Sequence, residues 1–131
     1  MILLDTHVLI WYLSGSEEMS QTASNVVSAS FRSRGVGIAA MTLWETAMLA
    51  DRGRVVFDRD VRQWLEDLSG LPNFKTLPIS SAIATLSTRL PGEFHKDPAD
   101  RLIVATAIDR GVPLVTRDRR IRDYAHVDTI W

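Results

Sequence analysis

Short apolar runs alternate along this chain with longer stretches whose apolar residues recur at helical spacing, and this alternation limits the folds it can adopt. The runs, each bounded by polar residues, are typical of buried strands and lie at 2–4, 36–40, 76–79 and 114–116. Strands that alternate with helices favour a parallel sheet joined by right-handed crossovers. We therefore predict an α/β fold, a three-layer α/β/α sandwich around a short parallel sheet, with a further edge strand near 127–130.

The predicted helices follow from periodicity and from residues at their ends. Apolar residues recur at the helical period in 23–31, 61–68 and 83–90. A further helix over 102–108 has Thr106 as its one polar residue, so we expect it deep in the domain. Asp97 before Pro98 predicts its start, and Gly111 followed by Pro113 predicts its end.

The composition excludes several kinds of chemistry. The chain has 131 residues, which fits one domain over 1–131. It contains no cysteine, so disulfides, thiolate metal sites and thiol nucleophiles are excluded. No apolar run approaches the ~18 residues of a membrane span and no signal peptide is recognisable, so we expect a cytoplasmic protein without membrane contact. All but two of the 15 basic residues are arginine, the cation best suited to phosphate recognition.

Acidic residues follow the predicted strands. Asp5 follows the first strand, Glu45 lies in the helix after the second, Asp100 lies in the first turn of the 102–108 helix, and Asp118 follows the last run. Because the carboxyl ends of parallel strands lie at one edge of a sheet, we expect these four carboxylates to converge. Close anions repel one another unless a cation lies between them. Oxygen ligands without cysteine or paired histidines favour Mg²⁺, or Mn²⁺, over zinc.

Each acid also has a purely structural interpretation, because aspartate is a favoured N-cap and acids stabilise the first turn of a helix. The residues concerned are Asp5, Asp97, Asp100 and Asp118, together with Glu45, which has the capping-box spacing to Thr42. Separate caps have no reason to meet at one end of a sheet, whereas a divalent cation requires several carboxylates in a small volume.

The sequence gives no catalytic role to the ring side chains. We expect His7 on a helix beside the pocket, and His95 and His126 at the surface, because the three histidines lack ligand spacing. Trp64 lies on an apolar stripe and is expected in the core. Trp11 lies in an apolar helix that is suited to a protein interface.

Four segments of the chain form an ordered set: Leu4-Asp5-Thr6-His7, Leu43-Trp44-Glu45, the stretch 97–107 that begins Asp97-Pro98-Ala99-Asp100-Arg101, and Val115-Thr116-Arg117-Asp118. In this order they resemble the motifs of the PIN-domain family, and more narrowly those of the VapC-type toxins of bacterial toxin–antitoxin systems. The resemblance covers essentially the whole chain.

The resemblance implies a PIN-like fold and a Mg²⁺-dependent endoribonuclease that is the toxin of a type II toxin–antitoxin pair. The acidic residues of such a nuclease correspond here to Asp5, Glu45, Asp100 and Asp118. Thr116 would be an accessory residue of the pocket, and Asp97 is close enough to join it, although its capping role suffices to explain it. The implied partners are RNA, a cognate antitoxin and a second copy of the chain.

The mechanism that we expect is attack on an RNA phosphodiester by metal-activated water. Asp5, Asp100 and Asp118 are the expected metal ligands, and Glu45 either ligates the metal or orients the attacking water. RNA must approach a cluster of carboxylates, so basic residues should surround it. The basic residues beside these acids are expected to contact phosphates, namely Arg101, Arg117, Arg119, Arg120 and Arg122. The alternatives are a solvated helix face for 119–122 and a local ion pair for Arg101.

Two functions of other classes stay open. A Mg²⁺-binding phospho-receiver module would be regulatory, but it needs a lysine near the site, and neither Lys75 nor Lys96 follows a strand. A non-catalytic PIN scaffold would bind RNA or an antitoxin without cutting.

Overall fold

The computed structural model describes all 131 residues and contains one five-stranded sheet in which every strand pair is parallel. The strands are β1 (Ile2–Leu4), β2 (Val36–Ala39), β3 (Phe74–Leu77), β4 (Leu114–Val115) and β5 (Thr129–Ile130). Their spatial order is β3-β2-β1-β4-β5. Since β1 is central, the residue after it lies in the middle of the carboxyl edge of the sheet.

Seven helices connect the strands. They are α1 (Thr6–Ser14), α2 (Gln21–Arg32), α3 (Ala40–Asp51), α4 (Val61–Leu68), α5 (Ser81–Thr88), α6 (Pro98–Arg110) and α7 (Arg119–Arg122). None of them combines the length and the apolar character that a membrane crossing requires.

The helices cover both faces of the sheet, which confirms the predicted three-layer sandwich. Successive strand residues point to opposite faces, so Leu4 and Leu3 lie in two different apolar clusters. The cluster with Leu4 includes residues of α1, α2 and α4, and the cluster with Leu3 includes residues of α5 and α6. Both leucines are completely buried.

Helix α6 has the ends and the burial that the sequence predicts. The side chain of Asp97 accepts a hydrogen bond from the Asp100 backbone at 3.2 Å, and Pro98 occupies the first turn. The helix ends at Gly111, whose φ of 64° is the left-handed conformation that glycine tolerates best. Residues 103–107 are all buried. The first turn of α6 therefore holds Asp100 rigidly at the carboxyl edge of the sheet.

Strand β3 lies two residues earlier than the predicted run at 76–79. It is an edge strand, and its Lys75 and Thr76 are exposed, so it lacks the continuous apolar signal of the inner strands. Pro78 lacks the amide hydrogen that pairing requires and stands just after the strand. Strand β5 is likewise shorter than predicted, and Ala40 belongs to α3 rather than to β2.

Candidate active site

One pocket at the carboxyl edge of the sheet contains every acid that the sequence analysis singled out. It has a volume of about 550 Å³. The acids that line it are Asp5, Glu45, Asp97, Asp100 and Asp118. The predicted convergence is therefore observed, although the structure by itself assigns no chemical role to any of these carboxylates.

Asp5 and Asp118 are linked through Thr116. Asp5 is 9% exposed, and its two oxygens accept hydrogen bonds from the Thr6 backbone at 2.8 Å and from the Thr116 hydroxyl at 2.7 Å. The same hydroxyl oxygen accepts a hydrogen bond from the Asp118 backbone at 3.0 Å. Burial raises the pKa of Asp5, and the bonds from Thr116 and Thr6 offset part of that effect.

Asp100 carries negative charge that nothing nearby fully neutralises. It is 8% exposed, and burial together with the charges of Asp5, Asp97, Asp118 and Glu45 raises its pKa to about 7. Its carboxylate therefore lies in a volume where further negative charge is unfavourable and a cation would be stabilised.

Glu45 points into the pocket from α3, and the structure rules out its capping-box interpretation. Helix α3 begins at Ala40 and its N-cap is Ala39, so Thr42 lies inside the helix. The hydroxyl of Thr42 instead forms a buried hydrogen bond with the Thr6 hydroxyl at 3.0 Å. Burial raises the pKa of Glu45, as does the nearby charge of Asp5. The capping box therefore does not explain why Glu45 faces the pocket.

Arg120 supplies positive charge to the pocket. Its backbone donates a hydrogen bond to Asp118 Oδ1 at 2.8 Å, and its Nη2 lies 3.1 Å from Asp118 Oδ2 and 3.4 Å from Asp100 Oδ2. Although partial burial opposes the effect, these contacts lower the pKa of Asp118. Arg120 thus bridges two of the proposed metal ligands.

The donor set fits a hard divalent cation, although the side chains are not arranged around one. With the side chains in these positions, no group of three or more histidines or acids is close enough to hold an ion. Arg120 holds Asp118 and Asp100, and Thr116 holds Asp5, so their oxygens face other partners. All five pocket acids offer oxygen ligands. Burial and the neighbouring negative charges raise the pKa of Asp100, and a cation would offset both.

His95 lies beside Asp100, not at the surface where the sequence analysis expected it. Its side chain is 21% exposed, and Nε2 lies 3.2 Å from Asp100 Oδ2 without the alignment of a hydrogen bond. Nδ1 accepts a hydrogen bond from the Asp97 backbone at 3.3 Å. Burial and the nearby Arg120 lower the pKa of His95. Its place two residues before the N-cap Asp97 is the one sequence signal that could have located it.

The arginines around the pocket differ from the predicted set. Those that line it are Arg52, Arg54, Arg117 and Arg120. Arg117 and Arg120 were expected, whereas Arg119 and Arg122 are exposed on α7 outside the pocket lining. Arg52 and Arg54 come from the end of α3 and the residues after it, and no motif in the sequence connects them to the acids.

Arg101 has a structural role, which corrects its expected contact with phosphates. Its guanidinium donates hydrogen bonds to the carbonyls of Ser87 at 2.7 Å, Phe94 at 3.0 Å and His95 at 3.1 Å. These hydrogen bonds connect the start of α6 to α5 and to the segment between the two helices. Arg101 does not line the pocket. A guanidinium with three carbonyl partners is not free to bind RNA.

Comparisons with known proteins agree with this architecture. The model of the PIN domain family matches residues 2–127. Ribonuclease VapC22 of Mycobacterium tuberculosis is 36% identical over 99% of this chain and 98% of its own length. A toxin–antitoxin complex from Klebsiella pneumoniae contains a chain that is 25% identical with a TM-score of 0.67, covering 97% of this chain and 95% of that one. A chain of VapBC2 from Rickettsia felis, in a complex with a DNA fragment from the promoter, has a TM-score of 0.70. The match covers 98% of this chain and 97% of that one at 16% identity, so the likeness is one of fold alone.

The first prediction concerns the metal-free protein. The pKa of Asp100 is higher in the folded state than its ordinary value, so the folded state binds more protons and stability falls as pH rises from about 4 to about 7. Asp100→Asn should therefore increase the free energy of unfolding at pH 8, in the presence of EDTA, by about 2 to 4 kcal/mol. Urea denaturation at pH 5 and pH 8 measures this difference. Asp109→Asn, at an exposed position near the other end of α6, is the control for the loss of one carboxylate. An Asp100→Asn protein that is less stable than the parent at pH 8 would contradict the prediction.

The second prediction concerns Arg101. Arg101→Gln should lower the free energy of unfolding by about 2 to 4 kcal/mol, because partly buried carbonyls lose charged donors. It should leave the salt dependence of RNA binding unchanged. Arg110→Gln, at an exposed position at the end of α6, should alter stability by less than about 0.5 kcal/mol. If RNA binding by Arg101→Gln depends less on salt than RNA binding by the parent protein, Arg101 does contact a phosphate and the prediction is wrong.

Proposed function

The chain belongs to the PIN-domain family, and we propose that it is a metal-dependent endoribonuclease, the toxin of a toxin–antitoxin pair, which hydrolyses RNA phosphodiesters. The observation that carries this proposal is the pocket in which five carboxylates meet at the carboxyl edge of the sheet. The relative named as a ribonuclease matches nearly the whole chain, which supports the same activity here.

The metal that we propose is Mg²⁺, with Mn²⁺ as the alternative, held by Asp5, Asp100 and Asp118. Oxygen donors suit these hard cations. Such a cation, when bound, stabilises charge on the phosphate and lowers the pKa of water at the site. Glu45 is proposed either as a further ligand or as the carboxylate that orients the attacking water.

The remaining polar residues of the site prepare these acids for binding. Thr116 fixes one oxygen of Asp5 and the backbone of Asp118, so it acts as an accessory residue that keeps these two acids in place. Asp97 caps α6 through the Asp100 backbone, which sets the position of Asp100. His95 lies against Asp100 as well. These contacts keep the acids at the pocket, and ligation requires their oxygens to turn from their present partners to the cation.

The arginines of the pocket are the proposed contacts to RNA phosphates. Arg52, Arg54, Arg117 and Arg120 line it, and Arg119 is exposed close by. Arg120 has a second role in the proposal, because it neutralises Asp100 and Asp118 and must release them when a cation binds. Once released, its guanidinium is free to contact a phosphate oxygen.

A protein partner is also part of the proposal. The Klebsiella pneumoniae neighbour belongs to a toxin–antitoxin complex, and we propose that a cognate antitoxin binds this chain too. Exposed apolar side chains, among them Trp44 at 59% and Val56 at 90%, are suited to contacts with an antitoxin or with a second copy of the chain in a homodimer. The proposed compartment is the cytoplasm, where RNA is available.

The alternative functions are separated by one observation and one assay. A phospho-receiver needs a lysine at its acidic pocket, and neither lysine lines this one. A non-catalytic scaffold would bind RNA in the same pocket, so only a test of cleavage distinguishes it from the nuclease.

The third prediction tests the nuclease. Asp5→Asn, Asp100→Asn and Asp118→Asn should each reduce RNA cleavage at least about 100-fold, because each removes a charge that holds the metal. Cleavage should require Mg²⁺ or Mn²⁺ and stop in EDTA. Asp109→Asn should cleave like the parent. Cleavage that survives both Asp5→Asn and Asp100→Asn would exclude this site.

Metal binding should also be visible without activity. Addition of Mg²⁺ at pH 8 should raise the melting temperature of the parent protein more than that of Asp100→Asn, because the folded state of the variant lacks one ligand. The same melting temperature shift in both proteins would remove Asp100 from the ligand set.

The fourth prediction concerns the products. Attack by water through the proposed chemistry leaves a 5′-phosphate and a 3′-hydroxyl, and enzymatic labelling of the RNA ends identifies them. Products with 2′,3′-cyclic phosphates would show that the RNA hydroxyl is the nucleophile and would contradict the proposal.

A further inference from the structure

One wall of the acidic pocket is formed by rings and by an arginine. His7, Trp11 and Arg117 line the pocket together with the acids, and we call these three residues the ring wall. The ring centroids of His7 and Trp11 are 5.5 Å apart, and the rings are inclined by 42°. Behind Trp11 lies Trp131, at 6.1 Å between ring centroids. The sequence analysis had assigned Trp11 to a protein interface, whereas the structure places it beside the carboxylates.

The backbone explains why these rings face the pocket. Helix α1 begins immediately after Asp5, and His7 and Trp11 are four residues apart on it, so they lie on the same face. His7 is exposed and Trp11 is only partly buried, in contrast to Trp64, which is 7% exposed in the core. Trp131 packs against the apolar cluster on the α1 side of the sheet and supports Trp11 from behind. Trp11 is therefore supported from behind, His7 is accessible, and Trp11 is accessible in part.

Arg117 is held in place by two contacts. Its Cζ lies 4.4 Å from the centroid of the Trp11 ring, a cation–π geometry. On its outer side the guanidinium forms an ion pair with Glu18. Arg117 also directly precedes Asp118, so its position is tied to that of a proposed metal ligand. A cation fixed over a ring at the entrance of an acidic pocket is suited to an anion that must approach that pocket.

We propose that the ring wall binds one nucleotide of the RNA next to the bond that is cut. Arg117 contacts the backbone phosphate, and the base packs on the exposed ring of His7 and on the part of the Trp11 ring that Arg117 leaves uncovered. Planar rings beside a fixed arginine match a nucleotide, because its base stacks on rings and its phosphate pairs with the guanidinium. A peptide has no backbone phosphate for Arg117 to hold beside the carboxylates, so the ring wall fits a nucleotide better than a protein segment. This inference rests on the proposed function and specifies where the RNA lies in the site.

Binding measured without cleavage tests the ring wall. The Asp5→Asn protein is titrated into a fluorescein-labelled single-stranded RNA that spans a cut mapped with the parent protein, and anisotropy is recorded. Trp11→Ala in this background should weaken binding about ten-fold, and His7→Ala should weaken it in the same direction. Trp11→Phe should retain most of the affinity because it keeps a ring. His7→Ala keeps the test valid if Trp11→Ala fails to fold.

The salt dependence of binding isolates the phosphate contact. Arg117→Gln should reduce the slope of log K against log salt concentration by about 0.7, the value for one phosphate contact on a single strand. Arg34→Gln, at an exposed position just before β2, should change neither slope nor affinity. An unchanged slope in Arg117→Gln would overturn the phosphate contact.

Abasic RNA separates stacking from a general structural effect. A set of RNAs is prepared, each lacking one base at a different position near the cut. One of these RNAs should bind the Asp5→Asn protein more weakly than the intact RNA, by about the factor that Trp11→Ala causes. The same removal should then cost nothing further in the Trp11→Ala protein. Equal losses of affinity in both proteins at every abasic position would overturn the proposal. A Trp11→Ala protein that binds RNA normally but no longer binds an antitoxin would also overturn it.

The failure of this inference is distinguishable from failure of the proposed function. A parent protein that cleaves no RNA with Mg²⁺ or Mn²⁺ would refute the nuclease itself. Normal cleavage by Trp11→Ala with an unchanged KM would refute only the ring wall. The expected result is a raised KM with kcat much less affected, because the substituted side chain does not reach the reacting atoms.

Discussion

Repulsion among carboxylates governs the architecture of the site. The parallel sheet places the first residues after β1 and β4 and the first turn of α6 in one small volume, and each contributes an acid. Three of these acids, Asp5, Asp97 and Asp118, are also N-caps, of α1, α6 and α7. Their capping and their membership of the pocket are therefore not competing explanations. The positive ends of the helix dipoles offset part of the repulsion, and Arg120 offsets more.

The acids differ in how firmly they are held. Asp5 and Asp118 are held through the Thr116 hydroxyl and through backbone amides. Asp100 has a longer contact to Arg120 at 3.4 Å and an unaligned approach from His95. Burial and the charges of the other pocket acids raise the pKa of Asp100 to about 7. A cation bound beside Asp100 would offset both effects.

The sequence predicts what local rules determine. Asp5, Asp100 and Asp118 follow from a simple rule, since each comes directly after a strand or starts a helix, and the order of strands and helices follows from alternation. Side chains that depend on tertiary contacts were misplaced. Arg101 is next to a pocket acid in sequence but reaches back to three carbonyls, and His95 packs against Asp100 instead of solvent. The edge strand β3 was displaced because its exposed residues carry no apolar signal.

Two of the pocket acids, Asp5 and Asp118, come from the same connections as the ring wall, and this has a consequence for substrate binding. Asp5, His7 and Trp11 follow one another along the start of α1, and Arg117 directly precedes Asp118 after β4. The positions of the carboxylates and of the rings are thus set by the same turns, and the buried bond between Thr116 and Asp5 joins the two connections. A shift of either turn moves the acids and the rings together. The distance between the proposed metal ligands and a nucleotide on the rings is therefore fixed by the fold and does not depend on a mobile loop.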